Sequence, residues 1–459
     1  MKLKNEKIQV VDKPSLFYVD YVNEQYRNGV TIGRLEEPEI PQELLQEAKS
    51  LTDTAIITIN RYSKEAEDRK NDGQDKYFVL SDAENKMVND VCSAFAHVIV
   101  LLNVGSMIDT SWFSDNEKIE AAVMLWQGGM EGGLAAADVL VGDVTPSGKL
   151  VDTCARNFDD YPSSEGYHES PDYVKYTEDI FVGYRYFETI PGKKECVVYP
   201  FGYGLSYTKF ELSKIHACSM GEKIYVTVNV KNVGAYAGKE VVQLYYSAPK
   251  DKLTKPALEL CGFEKTPLLA PGESTNILLS YNISDMASFD DLGVIEKSAY
   301  VMEKGKYQLF LGTSIRDTVT LDYGYELAED KIVEKLHSYC APANLGKRML
   351  ADGSYMDVPD TEVITKKFPC EYACEYHELE DIENRHRLYD VAAGRLTLDE
   401  FMTQLSDEEM IHLLVGQPNT GVANTCGMGN LPKFGIPTES FSALFHKGKL
   451  VKIKAERTI

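Results

Sequence analysis

The chain has 459 residues, of which 44% are apolar and 26% charged, the proportions of an ordinary globular protein. Its 71 acidic residues outnumber its 48 basic residues and give a formal charge of −23. This charge repels nucleic acid and anionic membrane surfaces, so we expect partners that are neutral molecules or other proteins. The length allows about two to four domains.

Targeting and redox signals indicate the cytoplasm. The first nine residues are charged and lack the apolar segment of a secretory signal, and no apolar run reaches the length of a membrane span. Nine irregularly spaced cysteines fit a reducing compartment better than a disulfide framework. The closest pair, Cys370 and Cys374, has no second pair at zinc-site spacing. We therefore predict a cytoplasmic protein with no metal and no cofactor.

Residues 1 to about 200 alternate helical and strand patterns, which predicts an α/β domain with a mostly parallel sheet. Three apolar runs predict buried strands at Ala55–Ile59, His97–Asn103 and Ala121–Trp126. Helices are predicted at Pro41–Lys49, after a capping box at Ser81, and at Leu134–Val141.

A charged stretch, Arg61–Lys70, begins where the first predicted strand ends. Ligands of open α/β sheets bind at the carboxyl ends of the strands, so carboxylates here are candidate site residues. The alternative is an ordinary solvated loop. A glycine-rich stretch, Gln127–Gly133, follows the third strand, but its spacing matches neither a dinucleotide-binding nor a Walker motif. It predicts a tight turn that lets helix and strand approach closely.

From about Phe210 the pattern changes to short alternating strands, which predicts an antiparallel β-sandwich of immunoglobulin or fibronectin type. The strands are expected at Lys223–Val230, Glu240–Tyr246, Asn276–Ser280 and Lys306–Leu311. The acidic residues 327–394 predict a connector with some helix. Helical patterns return at Leu396–Met402 and Leu405–Ile411, the second capped by Ser406. The last nineteen residues, 441–459, form a basic tail.

Several stretches together resemble the α/β-sandwich domain of glycoside hydrolase family 3, the β-glucosidases and their relatives. They are Val100–Gly105, Trp126–Gly133, Ala137–Leu150, Tyr176–Phe187 and Tyr199–Tyr207. The segment from Phe210 to Tyr325 is similar to the fibronectin type III-like domain that follows in this family. The resemblance implies an α/β plus all-β fold.

The order of these domains resembles that of family members in which a (β/α)8 barrel comes last. Arg395–Thr438 is similar to the start of that barrel, but the family's sugar-binding Asp-Gly-Pro is replaced by Glu439-Ser-Phe. The expected domains are 1–206, an α/β sandwich whose first strands are partly missing; 207–326, fibronectin type III-like; 327–394, a connector; 395–438, a truncated barrel start; and 439–459, a tail unlike the family.

Retaining glycoside hydrolysis needs two carboxyl groups about 5–5.5 Å apart. The resemblance places the general acid/base at Glu65, with Glu67 as the competing carboxylate, and shows Lys64 and Ala66 where the family often has glycine. The nucleophile, an Asp in a Ser-Asp-Trp-like motif of the barrel, has no counterpart in the chain, whose two tryptophans are Trp112 and Trp126. The hypothesis is the acid/base half of a retaining β-glucosidase, which is inactive alone and acts on terminal β-linked sugars of glycosides or oligosaccharides.

The alternative to a catalytic function is a non-catalytic carbohydrate-binding or scaffold module built from the same domains. Polar residues from Asp159 to Asp172 either rim the leaving-group side of the substrate or form a solvated loop. The barrel start exposes apolar surface from Leu405 to Leu414, which predicts self-association.

Overall fold

The computed structural model describes residues 6–7, 9–30, 35–61, 77–167, 169–170, 172–336, 344–360, 385–414, 431 and 434–436. The chain divides into two compact units, Met1–Ile364 and Thr365–Ile459. Across the described ranges, no helix combines the length and the apolar composition needed to cross a membrane.

The first part of unit 1 is an α/β domain. Its helices are α1 (Asp12–Arg27), α2 (Gln42–Leu51), α3 (Asp82–Ala94), α4 (Ser111–Ser114), α5 (Gly132–Leu140) and α6 (Tyr184–Phe187). Its strands are β1 (Thr54–Asn60), β2 (His97–Asn103), β3 (Ile119–Met124), β4 (Cys154–Ala155) and β5 (Val197–Tyr199). The first three strands form a parallel sheet in the order β1-β2-β3, while β4 and β5 pair antiparallel. The predicted parallel α/β domain is confirmed.

The sheet is buried mainly through its central strand. Val98, Val100 and Leu102 of β2 pack in one core with residues of α2 and α3. Helix α3 begins with the predicted capping box, in which the side chains of Ser81 and Glu84 each accept from the other's backbone N–H.

The prediction of three equally buried strands was wrong for the two outer strands. In β1, Ile57 is buried but Ile56 is 38% exposed. In β3, which ends at Met124 and not at Trp126, Ala121 and Ala122 are both exposed. Among the described strands β3 pairs with β2 alone, so its apolar sequence marks an edge strand as readily as a central one.

The second part of unit 1 is the predicted β-sandwich. Its strands are β6 (Phe210–Met220), β7 (Lys223–Asn232), β8 (Val241–Ser247), β9 (Glu259–Lys265), β10 (Ser274–Asn282), β11 (Ser288–Asp290), β12 (Ala299–Met302), β13 (Gly305–Ser314) and β14 (Asp317–Leu327). One sheet has the order β10-β7-β6 and the other β14-β13-β8-β9. Alternate residues of β7, including Ile224, Val226 and Val228, enter the shared core.

The region predicted as a connector contains strands that the sequence did not indicate. Strand β15 (Lys331–Lys335) pairs with β12, and β16 (Lys347–Met349) forms a hairpin with β17 (Tyr355–Asp357). Met349 is buried beside Phe181 and Phe187 of the α/β domain. These strands have three to five residues, too few to show a repeating apolar pattern.

Unit 2 contains α7 (Leu388–Ala392), α8 (Leu398–Met402) and α9 (Asp407–Leu414). The Ser406 hydroxyl accepts from the Glu409 N–H at 3.2 Å, as the predicted cap requires. The expectation that apolar surface is exposed from Leu405 onward was wrong at its first residue, because Leu405 is buried against Phe401 and Phe434. The basic tail lies outside the described residues, so it stays a prediction.

Candidate active site at the carboxyl edge of the parallel sheet

Strands β1 and β2 end side by side in polar residues. Asn60 and Asn103 are direct partners across the sheet, and the Asn103 amide nitrogen donates to the Asn60 amide oxygen at 2.8 Å. The Arg61 backbone N–H continues the ladder by donating to the Asn103 carbonyl at 3.3 Å. The backbone is therefore fixed up to the residue where the candidate stretch begins.

Arg61 uses all five of its N–H groups. Its Nε donates to the Tyr77 carbonyl at 3.0 Å, and its Nη1 and Nη2 donate to the carbonyls of Asn60 and Val79 at 2.8 and 3.0 Å. The two remaining N–H groups form a forked pair with the Glu84 carboxylate, at 2.7 and 3.0 Å. The Arg61 side chain is 9% exposed and the Glu84 side chain 15%, so the forked pair between them is largely shielded from water.

The chain leaving the stretch is held as firmly as the chain entering it. Phe78 is buried, and its carbonyl accepts from the Asp109 N–H at 2.8 Å. Its ring meets Phe158 and Tyr161 edge-on, with centroids 5.7 and 6.0 Å apart. Phe158 in turn meets Tyr167 at 5.7 Å, so aromatic contacts lead from the exit into the segment predicted to rim the substrate.

Residues 62–76 lie between these two anchored ends and outside the described residues. The predicted acid/base Glu65, the competing Glu67, and Lys64 and Ala66 all belong to them, so the positions of these side chains stay predictions. The sequence placed the stretch correctly after β1. It missed Arg61 as an anchor, because all of its side-chain partners except Asn60 lie 16 to 23 residues further along the chain.

The third strand ends in the glycine-rich turn. Trp126 has a φ of 53° and Gly129 a φ of 65°, both in the left-handed region. A Cβ on Gly128 would lie 3.0 Å from the Gly132 Cα, so a side chain there would push the turn and the start of α5 apart by a few tenths of an ångström. This close approach supports the structural interpretation of the glycines.

The predicted rim segment is partly structural. The carboxylate of Asp160 accepts from the backbone and side-chain nitrogens of Asn157, each at 3.0 Å, and so closes a short turn. Three tyrosines in and just beyond the segment are 36 to 69% exposed: Tyr167, Tyr173 and Tyr176. The substrate rim and the solvated loop both stay predictions for this segment.

Raised carboxyl pKa values in the described part of unit 1 have structural partners. Burial raises the pKa of Asp152, whose Oδ1 accepts from the Thr153 N–H at 2.7 Å. Burial also raises the pKa of Asp179, which pairs with Arg348. Within the same described ranges, no cluster of three or more His, Cys, Asp or Glu side chains is arranged to hold a metal ion.

Two family models match the chain. Residues 20–207 match the glycosyl hydrolase family 3 C-terminal domain, and residues 240–315 match the fibronectin type III-like domain. Residues 20–207 are therefore a C-terminal domain of the glycosyl hydrolase family 3 type, and a fibronectin type III-like domain follows them.

Curated relatives and solved structures agree with this assignment. β-Glucosidase A of Butyrivibrio fibrisolvens is 46% identical over 94% of this chain and 59% of its own length. A β-glucosidase of Ruminococcus albus is 39% identical over 92% of this chain and 45% of its own length. A β-glucosidase structure from Paenibacillus barengoltzii is 36% identical, with a TM-score of 0.78, over 95% of this chain and 50% of that one. The chain thus spans about half the length of the proteins it matches.

Proposed function

We propose that this chain contributes the acid/base side of a retaining β-glucosidase. In this proposal Glu65 protonates the leaving oxygen and then activates water. The attacking carboxylate comes from a barrel that completes the site. Only the acid/base role needs a residue of this chain, and Glu65 falls in the sequence between Arg61 and Tyr77, which the structure joins.

The observation that carries the proposal is the anchoring of residues 62–76 at both ends. Arg61 joins the end of β1 to the carbonyls of Tyr77 and Val79 at 3.0 Å each. A general acid must lie within hydrogen-bond reach of the leaving oxygen, so its loop must start from a fixed base. Arg61 fixes where residues 62–76 begin and end relative to each other, which is the condition that such a loop has to meet.

The substrate class follows from the relatives. Two curated relatives are named β-glucosidases, and β-glucosidase 3B of Thermotoga neapolitana, 35% identical to this chain, was solved in complex with glucose. A terminal β-linked glucoside is therefore the proposed substrate. The net charge of −23 suits such an uncharged sugar.

The test uses the purified chain with an aryl β-glucoside, alone and mixed with a separately produced family 3 barrel. We expect no turnover alone and turnover in the mixture. Glu65→Gln should lower the rate in the mixture by about 10²–10⁴-fold, the usual contribution of a general acid/base. Glu67→Gln, two residues away, is the matched control and should retain most of the rate.

Two outcomes would contradict the proposal. Equal turnover of wild type and Glu65→Gln in the mixture would remove Glu65 from the chemistry. Turnover by the chain alone, abolished by Glu65→Ala, would show that the site needs no second half. Calorimetric binding of cello-oligosaccharides with no turnover in any mixture would instead support the carbohydrate-binding module.

A further inference from the structure

We infer that Arg61 is a positioning residue for the general acid. It acts by joining the two ends of residues 62–76, which we call the loop base, and not by contact with substrate. The inference rests on the proposed role of Glu65 and adds a residue to it. Its basis is the complete use of the Arg61 side chain by described groups on both sides of residues 62–76.

The geometry requires an arginine. A guanidinium has five N–H groups in a rigid plane, and here each one has an acceptor within 3.0 Å. Three acceptors are backbone carbonyls, one from the entering chain and two from the leaving chain. A lysine has three donors at a single point, so it cannot reach all three carbonyls and the carboxylate together.

Glu84 orients the guanidinium and is itself fixed. Its carboxylate takes the forked pair from Arg61, and its Oε2 also accepts from the Ser81 N–H at 2.8 Å within the capping box. The position of Arg61 is therefore tied to the first turn of α3, and through α3 to the domain core. This series of contacts connects the loop base to the packed core, and the side chains of Arg61 and Glu84 are 9% and 15% exposed.

A simpler role has to be separated from this one. Arg61 could serve only to stabilise the start of α3, in which case its loss would lower all activities equally. A positioning role predicts a selective loss, because protonation matters most for leaving groups that are poor without it. A dinitrophenolate leaves without protonation, whereas an alkoxide does not.

The experiment uses Arg61→Lys, Arg61→Met and Glu84→Gln in the chain mixed with the barrel, with Lys86→Met on the exposed side of α3 as the control. For Arg61→Met we expect kcat/KM, which reports the first step, to fall about 10²-fold on methyl β-glucoside and less than about threefold on 2,4-dinitrophenyl β-glucoside. The losses in Arg61→Lys and Glu84→Gln should be smaller than the loss in Arg61→Met. Equal losses on both substrates would overturn the inference.

A second measurement needs no turnover. Cleavage of the chain alone by a glutamate-specific protease, followed by mass spectrometry, reports access to Glu65 and Glu67. We expect Arg61→Met to speed cleavage there by about tenfold and Lys86→Met to leave it unchanged, with both variants folded by circular dichroism. Unchanged cleavage in Arg61→Met would also overturn the inference. If Glu65→Gln keeps full activity while Arg61→Met still speeds cleavage, the proposed function fails and the anchor remains.

Discussion

The α/β domain and the fibronectin type III-like domain both use a buried charge to hold a loop, but with different results. In the second domain, Lys255 contacts Glu303, and the two side chains are 2% and 1% exposed. Glu303 also accepts from the N–H groups of Lys252 and Leu253, and Lys255 donates to the Pro249 carbonyl at 2.7 Å. The pair closes its own loop onto the sandwich.

Arg61 of the α/β domain instead joins the two described ends of residues 62–76 beside the ends of strands β1 and β2. In both domains a buried charge holds a loop, and the position of the loop decides the consequence. A loop closed onto a sandwich contributes to stability. A loop held at the carboxyl edge of a parallel sheet can carry chemistry.

The largest effect on stability is expected for Lys255→Met. The substitution leaves the Glu303 carboxylate buried without its cation, which costs about 3–5 kcal/mol. Urea unfolding followed by circular dichroism measures the change, and Lys331→Met, at an exposed position of β15, is the control. Protease cleavage after Glu65 should stay at the wild-type rate under native conditions. A loss of unfolding free energy below about 1 kcal/mol, or faster cleavage after Glu65, would contradict the view that the two loops are held independently.

Asp290→Asn should have the next largest effect. The Asp290 carboxylate is 1% exposed and accepts from four backbone N–H groups, those of residues 293 to 296, at 2.6 to 3.0 Å. An amide presents one acceptor oxygen, so about half of these bonds are lost, at a cost of about 2 kcal/mol. Urea unfolding measures this loss of stability, with Asp322→Asn at an exposed position of β14 as the control. Equal unfolding midpoints for the two variants would contradict the prediction.

Much of the fold was predictable because it depends on local patterns. The alternation in β7 and the apolar run of β2 fix which residues face a core, and Ser81 with Glu84 marks the start of α3. The burial of β3 was not predictable, since an apolar run does not reveal how many neighbours a strand has. The strands within residues 331–357 were not predictable either, because they are too short to show a repeating pattern of apolar residues.

The candidate site divides in the same way. Its place after β1 follows from a buried strand and the charges behind it. The anchor does not, because Arg61 reads as one more charge in a charged stretch until Tyr77, Val79 and Glu84 are brought beside it. The same holds for Lys255 and Glu303, which are 48 residues apart in the printed sequence and meet only in the fold.

The smallest effect is expected at the opposite edge of the parallel sheet, within the domain that contains Arg61. His97 of β2 and Glu120 of β3 are 2.9 Å apart, and the hydrogen bond with Glu120 raises the pKa of His97. Because the folded pKa lies above the unfolded value of about 6.5, the pair stabilises the fold below that pH. The stabilisation is lost as the pH rises through the raised pKa.

Glu120→Gln should therefore lower the unfolding midpoint slightly at about pH 5.5 and leave it unchanged at about pH 8.5. An NMR titration of His97 should show its pKa falling in the variant. Cleavage after Glu65 should not change at either pH, because the pair lies where the strands begin and Arg61 lies where they end. If Glu120→Gln did speed that cleavage, the loop base would depend on the whole sheet, and Arg61 would lose its distinction as the local anchor.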